Sequence, residues 1–329
     1  MLKIPPRLWL SASLLIAATS VAMAQVEIKI VAYKGWKNNL QISNGTVELI
    51  VTLDVGPRVM RYGFVGGENL FKEFNEQMGK TGESEWQARG GHRLWHAPED
   101  LKRTYELDNA PIKYEKLGTN GVRLIQAVES NTKLQKEMDI TLEYSGSKVL
   151  VVHRLRNTAM WDIELAPWAL TMMAQGGTEI IPLPPKIPHP QGLLPVSQII
   201  TWPYTDMSDS RWHWGKHYIT FSQDNNKGPN KIGMAHKLGW VAYLLRGNLF
   251  IKGFGYEEGR HYADSGSNFE TFSNQDFLEI ETLGPIQRIA PGKTIEHTER
   301  WWLLKGVSND LSDAGIGRNI RPMIESAIK

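Results

Sequence analysis

An all-β fold, a large antiparallel β-sandwich with few short helices, is what this 329-residue sequence predicts. Three observations lead there. Short segments that alternate apolar and polar residues recur along most of the chain. What separates them is turn chemistry, Gly, Pro, Asn and Ser, rather than amphipathic helical periods, which argues against a βαβ arrangement. The chain also has no cysteine, so a sizeable core rather than disulfides must hold it together.

Taken in order, residues 47–55 place Val47, Leu49, Val51, Leu53 and Val55 on one strand face, and Gly56-Pro57 ends the run. Residues 58–64 begin a second strand before Gly66-Gly67. Segments 122–128, 134–144 and 148–156 form an antiparallel run with turns at Ser130-Asn131 and Ser145-Gly146. Further strands are expected at 164–173, 179–182, 218–221, 231–235, 239–246 and 249–254. A last pair, 277–283 and 294–304, is joined across Ala290-Pro291-Gly292. Helix is expected only in the leader, around 98–103, and in the tail 311–328. Residues 182–203 hold seven prolines and read as an ordered cover.

Lys3 and Arg7, an apolar run over 8–21, and Ala22-Met23-Ala24 together make residues 1–24 a secretory signal peptide. The run is too short and too interrupted by hydroxyls for a membrane span. Residues 25–305 are then one sandwich domain and 306–329 a helical tail. The 37 basic and 35 acidic residues become 35 of each once Lys3 and Arg7 are removed. Such a chain has no electrostatic case for nucleic acid or an anionic membrane. A cysteine-free exported protein fits a bacterial periplasm. The sequence does not decide the oligomeric state.

Twelve tryptophans stand out, several beside charges. In Phe277-Leu-Glu-Ile-Glu-Thr-Leu283, a strand puts Leu278, Ile280 and Thr282 on one side and Glu279 and Glu281 on the other, about 6–7 Å apart. Two carboxyls so placed raise each other's proton affinity, which suits acid/base work; Glu270 upstream joins the candidate set. The segment 90–99 packs His92, Arg93, Trp95, His96 and Glu99 behind Gly90-Gly91. On a strand, His92 and His96 lie about 13 Å apart, too far to share a metal, so no metal and no cofactor is expected. The segment 201–217, which includes Arg211-Trp212-His213-Trp214, reads as a binding-site rim, and Arg58 emerges from a turn where it could reach a ligand. Serine-hydrolase elbow, P-loop, dinucleotide and HExxH patterns are absent from the sequence.

On these residues the chain resembles the galactose-mutarotase-like superfamily, the aldose 1-epimerase group, and within it a bacterial branch of the DUF4380 type. The resemblance covers roughly residues 30–305. The family's early glycine-rich turn is similar to Asp54-Val-Gly-Pro-Arg58, its Gly-Gly/His segment to 90–96, and its late Glu-Thr strand to Ile280-Glu281-Thr282. It implies the supersandwich fold, an aldose 1-epimerase-like isomerase reaction, Glu281 as catalytic base, and His92 or His96 as a partner at the ring oxygen. Arg58, Arg93, Trp95, Glu270, Glu279 and the 211–214 segment would then bind the sugar. The family's Asn-His pair, whose His is the general acid, corresponds here to Asn157-Thr158, and threonine cannot deliver a proton. That departure leaves three readings: a mutarotase with another acid, such as His96 or His213; a non-catalytic periplasmic carbohydrate-binding protein; and, last, a polysaccharide-cleaving enzyme using Glu270, Glu279 and Glu281. In each the partner is a mono- or oligosaccharide.

Overall fold

The computed structural model describes residues 1–2 and 25–329, so the leader expected over 1–24 lies almost wholly outside the described residues. Strands are numbered in chain order. The first sheet runs β1 (Glu27–Tyr33), β2 (Trp36–Ser43), β3 (Val47–Thr52), β4 (Arg58–Phe64), β5 (His92–Ala97), β10 (Ile163–Met173), β19 (Leu278–Leu283), β18 (Phe269–Ser273), β15 (Asn230–Met234) and β12 (Ile199–Thr201), with β20 (Gln287–Ile289) beside the start of β10. The second runs β13 (Trp212–Trp214), β14 (Tyr218–Ser222), β11 (Thr178–Pro182), β16 (Trp240–Leu245), β17 (Asn248–Phe254), β21 (Thr294–Lys305), β9 (Val149–Asn157), β8 (Leu134–Leu142), β7 (Gly121–Ile125) and β6 (Lys113–Leu117). The pairings that frame the site, β4 to β5, β5 to β10, β10 to β19, β19 to β18 and β18 to β15, are all antiparallel.

The main core lies between the sheets and draws on both, with Val47, Leu49, Leu278 and Ile280 from the first facing Val151, Phe250 and Trp301 from the second. The 47–55 alternation holds only to Thr52. Beyond it Leu53 still enters the core, but Val55 turns the other way and packs with Trp36 and Met60. Residues 101–105 form turns rather than the expected helix, because the Asp100 carboxylate accepts from the amides of Lys102 and Arg103 and closes the chain locally.

The outer faces of the two sheets are treated differently. On the second sheet, residues 313–328 wind as helix and press Ile316, Ile320 and Ile324 onto Leu244, Leu249, Ile251 and Trp302. Such an apolar face is sealed by about the burial of three branched side chains, each stabilising by ~1.5–3 kcal/mol. Among the described residues, no helix lies over the centre of the first sheet's outer face. That face bears a small aromatic cluster, Trp95, Trp168, Trp86 and Tyr105, in an open hollow. Near the end of the proline-rich 182–203 stretch Trp202 stacks on Lys231 at the floor of that hollow, but none of the residues that line the hollow comes from the stretch. It leads into edge strand β12, with Leu193 and Leu194 exposed, and borders a separate cleft of about 500 Å³ whose lining includes Leu183, Lys186 and Met234.

Candidate functional site

The strand register builds the hollow as three rows on one outward face. Arg93, Leu170, Glu281 and Glu270 stand side by side across β5, β10, β19 and β18. Two residues along on one side come Trp95, Trp168 and Leu283; on the other come Met172, Glu279, Phe272 and Lys231, the last from β15. The period of two in a strand is what brings these residues to one face. Tyr204 and Tyr105 rise at the sides, and the enclosed volume is about 320 Å³, within the ~300–1,000 Å³ of small-molecule sites.

Its floor is charged and buried. Lys231 Nζ lies 2.7 Å from Glu270 Oε2 and 2.9 Å from Glu281 Oε2, between the faces of Trp168 and Trp202 at 5.0 and 4.7 Å. The indole N–H of Trp168 donates to the same Glu281 oxygen at 3.0 Å, while Oε1 takes no hydrogen bond from the described residues. Burial would loosen the Lys231 proton, but the two carboxylates reverse this and raise its pKa well above the ordinary lysine value. Burial likewise pushes Glu270 well up, with Lys231 only partly offsetting it. Glu279 is pushed up to about 7 by burial, against the pull of Arg93, whose Nη2 stands 3.5 Å from Oε1. Arg93 is stacked between Trp86 and Trp95, at 4.6 and 4.1 Å from their rings. Tyr105 donates to Glu99 Oε1 at 2.6 Å, fixing one wall.

Of the residues singled out in the sequence, Glu281, Glu279, Arg93 and Trp95 line this hollow, and Glu270 lies buried beneath it on Lys231. The others do not converge there. His92 and His96 share the opposite, inward face of β5, because Arg93 and Trp95 take the outward positions. His96 meets Arg103 O at 3.2 Å at the end of the sandwich. Arg58 is fully buried and spends its guanidinium on Asp108 and on the carbonyls of Gln87, Ala88 and Gly90. It braces the loop that carries Trp86. Arg211 pairs with Asp209 and reaches Ser273 O, and Trp212 stacks flat on Phe221. His213 and Trp214 sit on edge strand β13 of the other sheet, so of the 201–217 segment it is Tyr204 that lines the hollow. Thr158 follows β9, also in the other sheet, and hydrogen-bonds Lys133 O. The strands that flank Glu281 are β10, whose outward side chains are Trp168, Leu170 and Met172, and β18, which sets Glu270 beside it.

Lys231, Trp168, Trp86 and Tyr105 were not read from the sequence as site residues, whereas Tyr204 belongs to the 201–217 segment read as a rim. For Lys231 a cue existed: a lysine alternating with Ile232 and Met234, both core-facing, must point outward into whatever covers that strand. The double glycine does have a strict backbone reason. Gly90 and Gly91 adopt φ of +92° and +72°, and a Cβ there would fall 2.0 Å from Lys72 O and 2.4 Å from Val59 O.

His92 instead belongs to a sealed polar cluster between the sheets. Its Nδ1 is 2.8 Å from Thr171 Oγ1 and its Nε2 is 2.7 Å from His153 Nε2; His153 Nδ1 donates to His297 O at 3.0 Å. Glu299 receives Lys252 Nζ at 2.9 Å, Thr282 Oγ1 at 2.5 Å and Trp301 Nε1 at 2.8 Å. Burial alone would raise the Glu299 carboxyl, yet Lys252 and the surrounding imidazoles hold it well below the usual carboxylate range. His92, His153 and Glu299 are near enough to meet one ion. However, the two facing nitrogens are closer than a pair on one tetrahedral zinc, where bonds of ~2.0–2.1 Å set them well over 3 Å apart, and the carboxylate is already taken by an ammonium. This is a hydrogen-bonded chain.

No protein-family model and no curated protein matches the sequence. Solved structures are. The Slr1438 protein of Synechocystis sp. PCC 6803 superposes with a TM-score of 0.57 at 10% identity, covering 84% of this chain and 99% of that one. A galactose mutarotase related enzyme from Lactobacillus acidophilus gives 0.52 at 9% identity over 84% and 98%. A galactose mutarotase-like protein from Clostridium acetobutylicum gives 0.52 at 9% over 85% and 99%. The fold is therefore that of the galactose mutarotase-like sandwiches.

Proposed function

We propose that the outer hollow of the first sheet binds a sugar and that the protein acts on its anomeric carbon, as an aldose 1-epimerase-type isomerase with Glu281 as base. The observation that carries this reading is the placement of Glu281. On a sheet of this fold, its carboxylate stands in a hollow walled by indoles, one oxygen held by Lys231 and Trp168 and the other unengaged. Flat aromatic faces suit the CH faces of a pyranose, and charged groups between them suit its hydroxyls. In the reaction Glu281 takes the proton of the anomeric hydroxyl while an acid protonates the ring oxygen as the C1–O5 bond breaks; the aldehyde turns, and closure by the reverse transfers gives the other anomer. The leader-like residues 1–24 support export, so the sugar would be met in the periplasm.

Polarimetry or NMR over a panel of aldoses tests this. Wild type should exceed the uncatalysed anomerisation rate, and Glu281→Gln should abolish the excess while leaving sugar affinity largely intact. A second reading, a non-catalytic carbohydrate-binding protein, is favoured by one observation: none of the residues lining the hollow is a histidine. Such a protein would bind a sugar, read by tryptophan fluorescence, and leave the anomerisation rate unchanged. Chain cleavage is the poorest fit, since Glu279 and Glu281 rise from one strand instead of facing each other across a scissile bond.

A further inference from the structure

We propose that Glu279 is the proton donor of this site, delivering to the ring oxygen the proton that mutarotase chemistry otherwise takes from an imidazole; this rests on the hollow being an anomeric site. Elimination carries the first half of the argument. The other protic side chains lining the hollow are unsuited. Arg93 and Lys231 are cations that keep their protons, Lys231 under two carboxylates. Tyr105 and Glu99 are committed to each other, the phenol donating to the carboxylate at 2.6 Å, and burial raises Tyr105 well above the ordinary phenol value; burial also raises Tyr204, to about 12. Glu270 is fully buried beneath Lys231 and does not line the space. Glu279 lines it, and its single close charged contact is the 3.5 Å approach of Arg93 to Oε1.

Geometry carries the second half. Glu279 and Glu281 point the same way from β19, about 6–7 Å apart along the strand. Ring opening needs a base at one oxygen and an acid at another, and both oxygens are bonded to the same carbon. Two carboxyl groups at that spacing can each reach one of them through a single hydrogen bond of ~2.7 Å. As Glu281 takes the proton from O1, the O1 electrons form the carbonyl, the C1–O5 bond breaks toward O5, and Glu279 protonates O5. Closure on the other face runs the same transfers backwards, so both carboxyls return to their starting states. Arg93 then stands ready to balance the transient Glu279 charge.

The groups that face Glu279 are Arg93 from β5, Lys231 from β15, Glu281 on its own strand, and Glu99 from the turn after β5; with burial they leave it near 7. The acid form disappears above that value, so turnover should fall as pH rises through about 7.

The test measures anomerisation by NMR from pH 5 to 9 for wild type, Glu279→Gln, Glu279→Asp and Glu281→Gln, with aldose binding followed by tryptophan fluorescence. Expected for Glu279→Gln is a loss of ~10²–10⁴-fold in turnover, the range of general acid catalysis, with affinity changed only a few-fold. Glu279→Asp should regain part of the rate and a falling limb. Retention of rate and limb in Glu279→Gln, with Glu281→Gln inactive, overturns the acid assignment alone. Wild type without activity on every aldose overturns the anomeric reading and the donor with it.

Discussion

Two charged clusters lie back to back across strand β19, and they are built to opposite ends. Ile280 separates them: Glu279 and Glu281 on either side of it face the hollow, while its own carbonyl accepts from Lys252 Nζ at 3.0 Å on the inside. The inner cluster is closed. Glu299 is saturated by three donors, the imidazoles of His92 and His153 are chained to each other and to Thr171 and His297 O, and every member is buried. The outer cluster is short of partners. It sets three carboxyls against two cations, leaves one oxygen of Glu281 unengaged, and holds Glu279 only loosely. A satisfied buried network specifies and rigidifies a core, whereas an incompletely satisfied one at the surface has capacity left for a ligand or a proton.

Substitutions should separate the two by kind of loss. Glu299→Gln removes the charge opposing Lys252 in a sealed site and should cost about 3–5 kcal/mol of stability, read as a lowered urea midpoint. Equal stability to wild type would show the inner cluster to be dispensable. Glu281→Gln should lose turnover with a smaller stability change, because Lys231 keeps Glu270. Arg58→Met strips Asp108 and three carbonyls of their donor and should destabilise by a similar 3–5 kcal/mol. It should also weaken sugar binding through the unbraced Trp86 wall, a coupling that a purely local defect would not show.

The pH dependence of stability should run oppositely in the two. Burial lowers the pKa values of His92 and His153, and that of His297 to about 3. The unfolded chain therefore binds more protons below the unperturbed imidazole value of ~6.5, and acid removes stability from there downward. Glu279 is raised to about 7, so the folded chain holds the extra proton, and stability is lost as pH rises from the ordinary carboxyl range through 7. Thermal melts of wild type and Glu279→Gln between pH 4.5 and 8 should differ in slope only in that window. The smallest effect is expected at Trp161, 66% exposed and outside both clusters. Trp161→Ala should stay within ~0.5 kcal/mol of wild type and leave sugar affinity unchanged.

The outward pairing of Glu279 and Glu281 was legible because it needs only the two-residue period of a strand and the apolar Leu278 and Ile280 between them. The same rule, applied to 92–96, would have put both histidines on the face opposite Arg93 and Trp95. What it could not say was which of those faces is the core. The 211–214 segment misled for a related reason: polar and aromatic residues together mark a sandwich edge as readily as a ligand rim, and Trp212 resolves it by stacking on Phe221. Lys231 and Trp168, the partners that hold Glu281, lie 50 and 113 residues away in the chain, and no local pattern reports such a meeting.

By itself, then, the sequence determined strand class, turn positions and the facing of side chains within each strand, since these follow from backbone sterics and hydrophobic alternation over a few residues. Tertiary structure alone decided which strands became neighbours, which face was sealed by the C-terminal helix and which was left open, and so which buried charges have partners. Those depend on long-range pairing and on desolvation, and both exist only once the two sheets have closed on each other.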